Sequence, residues 1–210
     1  MFTKFNIFKS RMERRKVRNM LKSLQAWESR GFSDNSPPFI KQGMFIKHGV
    51  EGAKWVETGT YLGETTDFLA SRFSFVHSVE PQNDLAARAK EKFEGRNVCI
   101  HHGTSEQVLP KLLSELSGDI NFWLDGHYSA GITYRGEQDC PVVDELRAIE
   151  NNLKNFGDIR ILIDDIRYFL SENRREFNYP DVMELISWAD KNQFFWRIEH
   201  DIFVMKRMLS

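Results

Sequence analysis

Short apolar runs alternate with longer amphipathic stretches along most of this chain. The runs fall at 53–57, 75–79, 98–101, 120–124 and 159–163. Between them, residues 65–72, 85–93, 105–116 and 142–153 carry apolar positions at helical spacing, and 180–191 does so again. Residues 194–198 and 202–205 read as a terminal hairpin. Strands that alternate with helices imply parallel crossover units and therefore an α/β, doubly wound sheet. The hairpin adds one antiparallel strand to that sheet. Ahead of this pattern, Phe5, Phe8, Met12, Met20, Leu21 and Leu24 recur at roughly helical spacing, which predicts one helix or a pair. Pro37 and Pro38 end that segment. The expected organisation is a helical extension over 1–35 and an α/β domain over 36–210.

Composition sets limits on this picture. Of 210 residues, 41% are hydrophobic and 28% charged, with a formal net charge of −1. That balance is ordinary for a globular chain and argues against a surface that binds nucleic acid throughout. The first 25 residues differ: Lys4, Lys9, Arg11, Arg14, Arg15, Lys16, Arg18 and Lys22 stand against Glu13 alone. This is either a packed helix with a solvated cationic face or a surface that docks an acidic partner, a membrane or a second copy. Cys99 and Cys140 are isolated in sequence, which suits reduced thiols and a reducing compartment. No apolar run approaches about 18 residues, and no signal-type segment opens the chain. A cytoplasmic protein is expected.

In open α/β sheets, ligands sit beyond the carboxyl ends of the strands, so the residues after each run are where chemistry is sought. After the first run comes Glu57-Thr58-Gly59-Thr60-Tyr61-Leu62-Gly63-Glu64-Thr65. Glycines at 59 and 63 allow a sharp turn and close approach to a ligand, and a helix N-terminus follows. The pattern is neither G-x-G-x-x-G nor a phosphate loop, and no lysine stands in the turn to meet a phosphate. Instead Glu57 precedes the first glycine. An acid there suits a cation better than a diphosphate. S-adenosylmethionine offers a sulfonium, an ammonium and one carboxylate for the helix end. A bare strand–turn–helix corner uses the same glycines. The second run ends at Glu80, roughly 21 positions beyond Gly59, where an acid can accept both hydroxyls of a ribose. An ordinary surface glutamate is the alternative. After the third run, Thr104 and Ser105 can edge an adenine, and Ser105 can equally be a helix N-cap.

Asp125-Gly126-His127-Tyr128 follows the fourth run and Asp164-Asp165 the fifth. Carboxylates that converge there repel unless a cation or a proton sits among them. Asp125, Asp164 and Asp165 can hold magnesium, which would lower the pKa of a substrate hydroxyl, while His127 takes its proton. Equally, Asp125 can bind the cofactor's ammonium, and Asp164 or Asp165 can cap a helix or pair with Arg167. The polar, glycine-punctuated stretch 129–139 suits a lid, with Tyr128, Tyr134 and Arg135 as substrate contacts or merely as exposed residues.

Glu57-Thr58-Gly59-Thr60-Tyr61-Leu62-Gly63 with Glu80 resembles the first two motifs of class I S-adenosylmethionine-dependent methyltransferases, over roughly residues 36–206. A bacterial group of methyltransferases is similar in more detail. Its Pro-Pro and upstream lysine match Pro37-Pro38 and Lys41. Its L-D-G-H-[WY]-S-x-G-x-T-x-x-G-E matches Leu124 to Glu137, and its L-I-D-D matches 162–165. Metal-dependent sugar and catechol O-methyltransferases are more distantly similar, and there Asp165 replaces the amide of the catechol type. The resemblance implies the mostly parallel, seven-stranded, Rossmann-like methyltransferase fold, and methyl transfer from S-adenosylmethionine to a hydroxyl of a sugar, glycan precursor or other small molecule. Asp125 and His127 would be catalytic, and Glu57, Gly59, Thr60, Tyr61, Gly63, Thr65, Glu80, Thr104, Ser105 and Asp125 would bind the cofactor. The alternative is a non-catalytic cofactor-binding module docked through its basic N-terminal helix.

Overall fold

The computed structural model describes residues 2–32, 34–126, 140–170 and 179–208. The chain divides into two compact units, Met1–Met44 and Phe45–Ser210. In the first, helix α1 (Phe2–Ser29) is continuous, a single element where one helix or two were expected. Its end is fixed by Trp27, whose Nε1 donates to the Asp34 carbonyl at 2.8 Å and whose ring meets Phe32 edge-on at 4.8 Å. Helix α2 (Pro38–His48) begins at a residue read from the sequence only as a breaker. Proline in the first turn gives up an N–H that has no helical partner there, so Pro38 starts this helix as naturally as it ends another.

The second unit is built on β1 (Lys54–Thr58), β2 (Val76–Glu80), β3 (Val98–His102), β4 (Gly118–Leu124), β5 (Phe156–Ile163), β6 (Phe195–Glu199) and β7 (Ile202–Arg207). The sheet order is β3-β2-β1-β4-β5-β7-β6. Strands β1 to β5 pair in parallel, and β7 runs antiparallel to both β5 and β6. Helices α3 (Glu64–Arg72), α4 (Asn83–Lys92), α5 (Ser105–Ser114), α6 (Val142–Glu150), α7 (Arg167–Leu170) and α8 (Val182–Lys191) complete the unit. The α/β, mostly parallel seven-stranded architecture with its closing hairpin is as the alternation and the resemblance predict. Order reverses between β1 and β4, which places the expected ligand cleft beyond the ends of those two strands.

The strands read as nearly continuous apolar runs because both faces are covered. On one face Val56, Val79, Ile120, Phe122, Leu124, Ile161 and Ile163 pack with Leu109, Leu113, Leu146, Ile149 and Leu185 of the helices. On the other, Trp55 and Trp123 each stand edge-on to Phe45, at 5.3 and 4.8 Å, and Trp55 meets Phe73 at 5.2 Å. Helix α8 starts after Asp181, two residues later than Pro180. The Asp181 side chain accepts from Met183 N at 2.9 Å, and Glu184 accepts from Asp181 N at 3.1 Å. This reciprocal cap sets the boundary. The hairpin turns through His200 and Asp201, both with positive φ (51° and 68°), the backbone of a two-residue turn that matches strand twist. Neither cysteine is in a disulfide, and no described helix is long and apolar enough to cross a membrane.

Trp55 is fully buried amid rings. Trp55→Ala is expected to cost about 3–5 kcal/mol of unfolding free energy in urea titrations, through lost contacts and a residual cavity.

Candidate active site

Glu57, the penultimate residue of β1, is completely inaccessible to solvent. Its Oε2 accepts from Thr66 Oγ1 on α3 and from Ser78 Oγ on β2, each at 2.6 Å. Ser78 stands directly across the β1–β2 ladder from Glu57. Because a hydroxyl has one proton and Ser78 gives it to the carboxylate, the 2.6 Å contact between Ser78 and Thr60 must be donated by Thr60. A relay results, from Thr60 to Ser78 to Glu57, with Thr66 donating from the other side. Oε1 of Glu57 is buried and has no hydrogen-bond partner among the described residues. Burial above all, helped by the charges of Asp125 and Glu80, raises this carboxyl to about 7 against the downward pull of the Ser78 and Thr66 hydroxyls.

The turn after β1 is shaped by the protein itself. Gly59 has φ of 86°, and a Cβ there would stand 2.5 Å from the Asp125 carbonyl oxygen. Asp125 N in turn donates to Thr58 O and Thr58 Oγ1, both at 3.3 Å. The ends of β1 and β4 therefore touch backbone to backbone, which only glycine permits. Gly63, with φ of 71°, faces the Phe93 ring, 2.8 Å from where a Cβ would be. The close approaches demanded of both glycines are thus to protein atoms. Lys92, outside the turn in sequence, reaches the carbonyl oxygens of Leu62 and Gly63 at 2.9 and 3.0 Å. It meets the carbonyl side of the turn. Tyr61 is exposed and Thr65 half-buried at the start of α3.

Glu80 is buried, and each of its oxygens takes one backbone N–H: Oε2 from Tyr61 and Oε1 from Gln82, at 2.8 and 2.9 Å. Burial raises its pKa, while those amides and His102 oppose the rise. It is therefore no ordinary surface glutamate. It locks the β1 turn onto the end of β2 and keeps further lone pairs for acceptance. Thr104 is the N-cap residue of α5, without a side-chain cap bond, and Ser105 is the first helical residue. The Ser105 hydroxyl contacts Glu106 at 3.4 Å rather than capping the helix.

The acids after β4 and β5 do converge. Asp125, Asp164 and Asp165 bring one oxygen each within 4.8 Å of one another. Asp165 also accepts from Arg167 Nη1 at 2.7 Å, and the same nitrogen bonds Asp201 in the hairpin turn. Burial alone would lower the pKa of Arg167, but Asp165 and Asp201 outweigh it and hold the guanidinium charged. His127, Tyr128, Tyr134 and Arg135 lie outside the described residues.

Several contributors escaped the sequence reading. Glu145 of α6 is buried, and its Oε1 stands 3.1 Å from where a Cβ on Gly126 would be. Tyr179 is buried edge-on to Phe169 at 5.1 Å; burial, with Cys140, Asp165 and Asp125 nearby, pushes its hydroxyl up. Ser78 had a usable signal, a hydroxyl midway along an otherwise apolar strand. The cleft thus gathers Glu57, Glu80, Asp125, Glu145, Asp164 and Asp165 around the ends of four strands and α6.

No known family profile matches the chain. Among solved structures, a methyltransferase from Geobacter sulfurreducens aligns with a TM-score of 0.53 at 14% identity, over 90% of this chain and 87% of that one. The N-methyltransferase NodS from Bradyrhizobium japonicum gives 0.53 at 11%, over 82% and 96%. A Streptococcus mutans protein in complex with SAH gives 0.50 at 15%, over 82% and 97%. The fold is that of the methyltransferases. In sequence, 69 residues are 36% identical to the ribosomal RNA small subunit methyltransferase A of Aromatoleum aromaticum. That stretch is 33% of this chain, and it spans only 26% of that relative's length.

The shifted carboxyl gives a measurable sign. Glu57 moves from 4.5 to about 7 on folding, so between those values the folded chain holds a proton that the unfolded chain has released. Its contribution to stability is present below the lower value and is lost as pH rises through the upper one. The ligand-free protein is expected to lose up to about 3 kcal/mol through this group. Urea unfolding at several pH values should show that slope, and Glu57→Gln should flatten it.

Proposed function

We propose that the chain is an S-adenosylmethionine-dependent methyltransferase acting on a hydroxyl of a sugar, glycan precursor or other small polar molecule. The observation that carries the reading is the buried Glu57 carboxylate with an open oxygen, beside a turn of methyltransferase type and among further acids. Such a site disfavours a diphosphate and favours a cationic ligand. The cofactor supplies a methyl group activated on a sulfonium. Glu80 accepts the ribose hydroxyls with the lone pairs its two amide bonds leave. The turn from Gly59 to Gly63, with Thr60, Tyr61 and Thr65, presents the N-terminus of α3 to the cofactor carboxylate. Asp125 holds the ammonium, and Thr104 and Ser105 edge the adenine.

The same cleft serves the acceptor. Asp125, Asp164 and Asp165 would supply oxygen ligands to a magnesium ion, which would lower the pKa of an acceptor hydroxyl; without the ion, Asp125 serves the ammonium alone. His127 is assigned as the proton acceptor by its place after Asp125, and Tyr128, Tyr134 and Arg135 as acceptor contacts. A second reading is an RNA acceptor. The local likeness to a ribosomal RNA methyltransferase and the basic N-terminal segment favour it.

Calorimetry with adenosylhomocysteine is expected to show one site, weakened about 10- to 100-fold by Glu80→Ala, since a charged acceptor of hydrogen bonds is lost. A wild-type protein that binds none would end the proposal. Label from methyl-tritiated cofactor should pass to sugar nucleotides, and chelation with EDTA should suppress the transfer until magnesium is restored. Transfer to ribosomal RNA instead would select the second reading. Binding without transfer to either would leave a docked cofactor-binding module.

A further inference from the structure

Strands β2 and β3 carry a second constellation, made from residues that the strand-end cleft does not use. In their parallel register His77 stands opposite Cys99, and His101 opposite Val79. Cys99 and His101, two apart on one strand, share a face of the sheet with His77. The three ligand atoms, two ring nitrogens and one sulfur, lie within 4.8 Å of one another. His77 Nδ1 and His101 Nε2 are 3.1 Å apart. Each of the three side chains is half-buried, so solvent reaches the group, and Cys99 is in no disulfide.

We propose that His77, Cys99 and His101 form a zinc-type metal site bridging β2 to the edge strand β3. Two nitrogens about 2.0–2.1 Å from one tetrahedral zinc stand roughly 3.3 Å apart, close to the spacing already present. A thiolate at about 2.3 Å from the same ion lies roughly 3.6 Å from each nitrogen, within reach of a modest side-chain rotation. Two imidazoles and a thiolate are the donor set of zinc and its neighbours, and not of magnesium or calcium.

Both rings are prepared to act as ligands. Burial, then His101 and Lys54, lower His77 to about 4, and burial and Lys90 lower His101 against the opposing pull of Glu115. Neutral imidazoles hold a lone pair for a metal. On loading, the ring that donates in the His77–His101 hydrogen bond moves its proton to its other nitrogen. Cys99 releases its proton to solvent, and the six-coordinate aqua ion sheds five waters as it takes three protein ligands and becomes tetrahedral. The fourth position stays open to water or a small ligand.

Cobalt(II), a spectroscopic stand-in for zinc, tests this on the full chain. The wild type is expected to take up one equivalent with a thiolate-to-cobalt charge-transfer band in the near ultraviolet, and zinc should displace it. Cys99→Ser should abolish the band and Cys140→Ser should keep it. His77→Gln and His101→Gln should each weaken zinc binding by about ten-fold or more. Cobalt uptake without the thiolate band would place the ion among carboxylates and overturn the proposal. So would no uptake, or a band that survives Cys99→Ser. The wild-type spectrum decides the matter even where a variant fails to fold.

Discussion

A carboxylate withdrawn from water must be met by hydrogen bonds, by a counter-charge or by a proton. Glu57 is met at Oε2 by two hydroxyls, with Thr60 feeding the nearer relay. That arrangement ties β1, β2 and the start of α3 into one rigid corner. It also leaves Oε1 without a hydrogen bond among the described residues. Burial lets the corner keep a proton up to about pH 7. The rest of the cleft follows from its position, since Gly59 brings the end of β4 against the same turn.

Charge at this cleft accumulates by topology rather than by local sequence. Glu57, Glu80, Asp125 and Asp164 lie far apart along the chain, and the parallel register places them beyond adjoining strand ends. Each is anchored differently. Hydroxyls hold Glu57 and two backbone amides hold Glu80, while the Asp125 amide is fixed to Thr58. The Glu57 and Glu80 carboxylates, so anchored, cannot swing away to relieve repulsion. A preorganised negative site is the consequence, and preorganisation of this kind is what makes electrostatic recognition effective.

The sheet was legible because strands covered on both faces leave uninterrupted apolar runs, and each run placed a strand to within a few residues. Helix α2 was not legible, because Pro38 was weighed as a breaker and its fitness for a first turn was not. Helix α7 is a single turn, too short for any period to appear. Within the site, Glu57, Glu80 and the acids after β4 and β5 stood out as polar residues at run ends. Tyr179 and Glu145 did not, for both enter from helices or loops whose placement only the folded chain fixes. The pairing of His77 with Cys99 and His101 was equally hidden, since which strands are neighbours cannot be read from spacing alone.

Arg167 joins Asp165, in the acidic cluster after β5, to Asp201, in the β6–β7 hairpin turn. The Asp201 side chain also accepts the Arg167 amide at 2.9 Å, and its carbonyl accepts from Ile166. One guanidinium therefore serves two acids that belong to different parts of the architecture. The antiparallel margin of the sheet and the acidic cluster draw on a common counter-ion, so neither can be re-engineered without disturbing the electrostatics of the other.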